Sequence, residues 1–87
     1  MGAAAGHGWS EKIERGLRKR SVTIAGHRTS ISLEPEFWAA LEGVAARRRC
    51  SLARLIGEID RSRAGRSLSS SLRVYLLAQA TRAREEV

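Results

Sequence analysis

Between residues 21 and 33 the chain alternates polar and apolar side chains. Val22 and Ile24 alternate with Ser21 and Thr23; Thr29, Ile31 and Leu33 alternate with Arg28, Ser30 and Ser32. A period of two in β-branched residues marks a half-buried strand. Residues 28–33 therefore predict one short strand. Whether residues 21–24 form an additional strand stays open, because Ala25 and Gly26 make a poor primed hairpin turn: alanine resists positive φ at the first position. Gly26 can equally mark a bulge or bend.

From Leu33 onward the period changes to that of a helix. Pro35 suits a first helical turn, and Glu34 and Glu36 suit its positive dipole end. Phe37, Trp38, Leu41, Val44 and Ala45 then recur at helical spacing, and Arg47, Arg48 and Arg49 close the helix where cations are favoured. Ser51 is a good N-cap for a second helix with Leu52, Leu55, Ile56 and Ile59 on one face. The stretch from Arg63 to Arg66 breaks that pattern. Ser67 or Ser69 then caps a third helix, which turns Leu68, Leu72, Tyr75, Leu76 and Val74 inward.

The start of the chain has less pattern. Residues 1–20 are rich in glycine and alanine, with Trp9, Ile13 and Leu17 as their only large apolar residues. Gly16 weakens the single amphipathic helix that this spacing of four allows, so residues 1–20 are expected to form a flexible basic arm. Residues 21–80 are expected to form the folded domain, and 81–87 a charged tail that frays.

Size and charge narrow the possibilities. A domain of at most 87 residues builds a small core, of roughly 3–5 kcal/mol, and usually needs a disulfide, a metal or a partner subunit. Cys50 is the only cysteine, so an intrachain disulfide is impossible and a cytoplasmic setting is expected. No cluster of Cys, His and carboxylates has metal-site spacing; neither a cofactor nor a catalytic set is expected, and the chain is not read as an enzyme. Oligomerisation remains. A single strand cannot satisfy its own edges, so it is expected to pair antiparallel with its copy in a second subunit. The fold class expected is mostly α: one strand per subunit in an intersubunit ribbon, two helices and an added third.

The net charge is +7, and fourteen of the sixteen basic residues are arginine, the residue suited to bidentate phosphate and guanine contacts. Nucleic acid is the partner such a domain usually meets. No apolar run approaches the ~18–20 residues that span a bilayer, and no membrane partner is expected. An intersubunit ribbon would bury Thr29, Ile31 and Leu33 and present Arg28, Ser30 and Ser32 outward. Such a ribbon fits the major groove of double-stranded DNA; Arg28 can fork onto guanine O6 and N7, and the two serines can donate or accept. Ser51, Leu52 and Ala53 open a helix, so their free backbone N–H groups can hold a phosphate. Arg18, Lys19 and Arg20 are candidate phosphate contacts from the arm.

These residues carry a resemblance. The stretch RTSISLEPEFWAALEGVAARRRCSLARLIGEID, residues 28–60, resembles the ribbon-helix-helix DNA-binding proteins of the Arc and MetJ repressor superfamily. It extends upstream through KRSVTIAGH and downstream through RAGRSLSSSLRVYLL, and so looks like a bacterial subfamily with a third helix. The resemblance implies a homodimeric transcriptional regulator, commonly a repressor. By position it makes Arg28, Ser30 and Ser32 the base readers and Ser51 to Ala53 the phosphate clamp. Where the family commonly has glycine between its two helices this chain has Arg49, which dislikes the left-handed conformation, so a differently shaped turn is expected. Cys50 then falls on a packed position. An alternative expectation is a protein–protein adaptor or antitoxin-like module that engages a partner through the C-terminal helix. Trp38 reads as core or dimer interface; His27, His7 and the serines at 67–71 receive no chemical role.

Overall fold

The computed structural model describes residues 12–14 and 16–85. Three strands precede three helices: β1 (Lys12–Glu14), β2 (Leu17–Ile24), β3 (His27–Leu33), α1 (Pro35–Arg47), α2 (Leu52–Arg61) and α3 (Leu68–Glu85). The strands form one antiparallel sheet in the order β1-β2-β3. The expectation of one strand per chain is thus corrected: β3, the strand read from sequence, pairs with β2 of the same chain from Ile24↔His27 to Arg18↔Leu33. Residues 17–20, assigned to a flexible arm, belong to β2. The rest of the expected arm, except residues 12–14 and 16, lies outside the described residues. The third helix also runs on through the charged stretch expected to fray, as far as Glu85.

The hairpin forms because Ala25 takes the strained conformation that argued against it. Its φ is 51° and that of Gly26 is 85°, the paired positive values of a two-residue primed turn. A cross-strand register of seven residue pairs follows from that one corner.

The inner face of the hairpin and the three helices share a single core. Val22, Ile24, Ile31 and Leu33 from the sheet meet Trp38, Leu41, Val44 and Ala45 of α1, Leu55, Ile56 and Ile59 of α2, and Leu72 and Leu76 of α3. The helical periodicities are confirmed, apart from Val74, which is 41% exposed on the outer side of α3. Gly57 lies beneath β2, where a Cβ would make only ordinary contact with Ile24 Cγ2 at 3.8 Å.

Side-chain bonds fix the ends of the elements. The Trp38 indole donates to the Arg18 carbonyl at 2.9 Å, tying α1 to β2. The Ser69 hydroxyl donates to the Ser32 carbonyl at 3.3 Å. Arg73 grips Glu34, the N-cap residue of α1, through Nε at 3.1 Å and Nη2 at 2.8 Å. Of the two serines considered as the cap of α3, Ser67 serves: its Oγ accepts from the Ser70 amide at 3.1 Å.

Candidate nucleic-acid interface

The parity of β3 is the one read from sequence. Ile31 and Leu33 are buried and Thr29 half-buried, whereas Arg28 and Ser30 are exposed and Ser32 half-exposed. A two-residue hairpin makes Ile24 and His27 a hydrogen-bonded pair, and pairs alternate from there. Thr23↔Arg28, Ser21↔Ser30 and Lys19↔Ser32 are therefore the closer, non-hydrogen-bonded pairs, with Cα atoms about 4.5 Å apart. Their side chains share the outer face. Six positions, Lys19, Ser21, Thr23, Arg28, Ser30 and Ser32, make a ladder of hydroxyls with a cation at each end and no carboxylate. It spans about 13 Å, four residue steps of about 3.3 Å.

The basic run at 18–20 splits by the same parity. Lys19 lies outside. Arg18 and Arg20 lie on the helix side of β2, both half-buried. Arg20 stacks over the Trp38 ring, 4.8 Å from its centroid, and pairs with Glu42 at 2.8 Å. Of the three cations assigned to DNA phosphate, only Lys19 shares a face with Arg28. Lys19, Ser21 and Thr23 form half of the outer face. Of these three, the sequence marks only Lys19 as a candidate contact, within the expected flexible arm. The signal was the alternation continuing back from Ile24 through Val22, hidden at positions 20 and 18 by arginines on the buried side.

At the junction of α1 and α2 the turn corrects the expectation of an unusual shape. Arg49 has φ 56°, the left-handed value glycine would supply. Its amide bonds the Ala46 carbonyl at 3.1 Å and the Cys50 amide bonds that of Ala45 at 3.0 Å, the two bonds of a Schellman ending. Cys50 is half-buried against the core. Ser51 then caps α2, its Oγ accepting from the Arg54 amide at 3.0 Å. The amides of Leu52 and Ala53, at the first two helical positions, have no intrahelical carbonyl to bond and are the donors of the expected clamp.

Several arginines near that helix are already engaged. Glu58 takes Arg48 at 2.8 Å and Arg54 at 3.6 Å, and Asp60 takes Arg63 at 2.9 Å. The hydrogen bond from Arg48 holds the Glu58 carboxyl below its ordinary range, and Glu58 and Tyr75 together raise Arg48. The cation at the end of the outer sheet face, Arg28, is exposed. Among the described residues no group of His, Cys, Asp and Glu could hold a metal, and no helix is long and apolar enough to cross a membrane.

No curated protein and no solved structure matches the chain. The family model of the ribbon-helix-helix domain matches residues 17–80, from the first residue of β2 into the last turns of α3. The chain belongs to the ribbon-helix-helix family, whose members generally bind DNA and dimerise.

Proposed function

We propose that the protein is a sequence-specific binder of double-stranded DNA, a homodimeric transcriptional regulator of the repressor type working in the bacterial cytoplasm. The observation that carries this is the outer face of β3, where Arg28, Ser30 and Ser32 stand in a row with no carboxylate beside them. Arg28 supplies a bidentate contact to guanine, and the serines adapt to either donor or acceptor on the neighbouring base edges. The amides of Leu52 and Ala53, with Ser51 as their cap, bind a phosphate and set the register.

The dimer joins through β3. Ser32 gives its carbonyl to Ser69, but the backbone N–H and C=O groups of Arg28 and Ser30 point away from β2, at an edge that carries no further strand among the described residues. Antiparallel pairing of that edge with its copy satisfies them and places two β3 strands side by side. The test is a binding selection from random DNA with the intact protein and with Arg28→Ala. The variant should bind the selected site about 1–3 kcal/mol more weakly and lose one base preference in each half-site. Unchanged affinity and preference would remove Arg28 from the readout.

A second reading has an observation of its own. Val74 and Leu77 are exposed, Leu77 to 66%, on the outer side of α3. They suit a partner protein. Because Leu72 and Leu76 of the same helix are core residues, deletion of α3 would unfold the domain. Val74→Ser with Leu77→Ser is the cleaner test; loss of a stoichiometric partner with DNA binding intact favours this adaptor role.

A further inference from the structure

We infer that β2 is a second DNA-contacting strand, and that Lys19, Ser21 and Thr23 hold the phosphate ridges that flank the groove read by β3. The inference rests on the DNA-binding reading above and on its β3-to-β3 dimer. The register puts these three residues directly beside Ser32, Ser30 and Arg28 on one face. Whatever surface meets DNA through β3 therefore meets it through β2 as well.

The division of labour follows from strand spacing. Neighbouring strands lie about 4.8 Å apart. In a dimer joined through β3 the order across the sheet is β1, β2, β3, then β3, β2 and β1 of the copy, with the short β1 at each rim. The two β2 strands are then three spacings apart, about 14 Å, against a major groove about 12 Å wide. The β3 pair fits the groove; the β2 pair overlies its walls, where the ligand is phosphate. Its side chains have the matching chemistry. Lysine is a flexible point charge, and serine and threonine hydroxyls donate to phosphate oxygens. Lys19 and Thr23 stand about 13 Å apart along the strand, so one β2 can reach more than one phosphate of the groove wall. Arg20 marks the boundary of the site, since its guanidinium turns to Trp38 and Glu42 on the other side of the sheet.

Random-library selection and salt titration of the full chain test this with Lys19→Ala, Thr23→Ala, Arg20→Ala and Arg28→Ala. Lys19→Ala should select the same motif as the wild type, bind every sequence more weakly and lower the salt slope by about 0.9 per contact, about 1.8 per dimer. Thr23→Ala should lower affinity by a similar factor on all sequences, again without changing the motif. Arg20→Ala should leave the slope unchanged. A changed base preference in Lys19→Ala or Thr23→Ala would make β2 a base reader and overturn the inference, as would wild-type affinity and slope in both. If instead the wild type selects no motif, or Arg28→Ala leaves it unaltered, the DNA-reading assignment of β3 fails and the inference falls with it.

Discussion

The indole N–H of Trp38 donates to the carbonyl oxygen of Arg18 at 2.9 Å, so a core residue of α1 holds the backbone of the strand two elements earlier. The same ring carries Arg20 on its face, 4.8 Å away. Trp38 is only 2% exposed, and the bond anchors the end of β2 remote from the hairpin turn. Trp38→Phe keeps most of the packing but removes the donor. The loss should amount to about 0.5–1.5 kcal/mol, the net worth of one hydrogen bond, because the Arg18 carbonyl keeps the Leu33 amide as its cross-strand partner. Urea midpoints measure it, and amide exchange should rise more in β2 than in α2. Equal protection of both elements would show that the bond does not hold the strand.

Two non-glycine residues in the left-handed region offer gains in stability. Arg49 (φ 56°) closes α1 and Ala25 (φ 51°) opens the hairpin turn. Such a conformation costs a non-glycine residue about 1–2 kcal/mol, and the extra freedom that glycine brings to the unfolded chain returns part of it. Arg49→Gly, and Ala25→Asn before Gly26, should each raise stability by about 0.5–1 kcal/mol in thermal or urea unfolding. A destabilised Arg49→Gly would mean that the arginine side chain contributes more than its backbone strain costs.

Those two positions also mark where the fold was hard to read in the sequence. Apolar spacing showed β3, all three helices and nearly all of the core, because burial on one face leaves a period that few other structures produce. The hairpin did not show. Alanine at a primed turn and arginine at a helix ending go against local preference, and tertiary contacts overrule it at both. Leu33 and Ile31 need a covered neighbour, and β2 supplies it whatever Ala25 prefers. The outer row of the candidate site was half legible for a related reason. Arg18 and Arg20 occupy positions of β2 that face the helices, so a search for apolar alternation stops at Val22. Arg20 lays its stem against the core while its charged head reaches the Glu42 carboxylate and the Trp38 face. At Val74 a polarity pattern alone did not say that the helix rim, rather than the core, would receive the side chain.

The fold should lose stability in acid for two identifiable reasons. Glu34 is held below its ordinary pKa of 4.5, chiefly by a hydrogen bond from its own backbone and then by Arg73; Glu58 is held below the same value chiefly by its bond from Arg48. A carboxyl whose pKa is depressed on folding stabilises the fold fully above the unfolded value and loses that contribution as pH falls through the folded one. The window therefore lies below about pH 4.5. Both carboxylates are solvent-accessible, so each effect is small and weakens in salt. Glu34→Gln and Glu58→Gln should each flatten the acid limb of a stability–pH curve and change little near neutrality beyond the lost pair. An acid limb as steep in the double variant as in the wild type would assign it to other groups.

The open edge of β3 makes the dimer testable without touching the outer face's arginine or the core. The Ser30 amide points away from β2, so its removal takes no hydrogen bond from the hairpin. Proline is tolerated on an edge strand where its missing N–H would face solvent, and it blocks a strand from adding there. Thr29 before it is already in the extended conformation that proline demands of its predecessor. Ser30→Pro should therefore remain folded, with the far-ultraviolet dichroism and cooperative unfolding of the parent, while light scattering falls from the dimer mass to that of one chain. DNA affinity should fall as well, because two half-sites are then bound separately rather than as one site. If Ser30→Pro stays dimeric, the seam lies elsewhere, and the exposed side of α3 around Val74 and Leu77 becomes the surface to mutate.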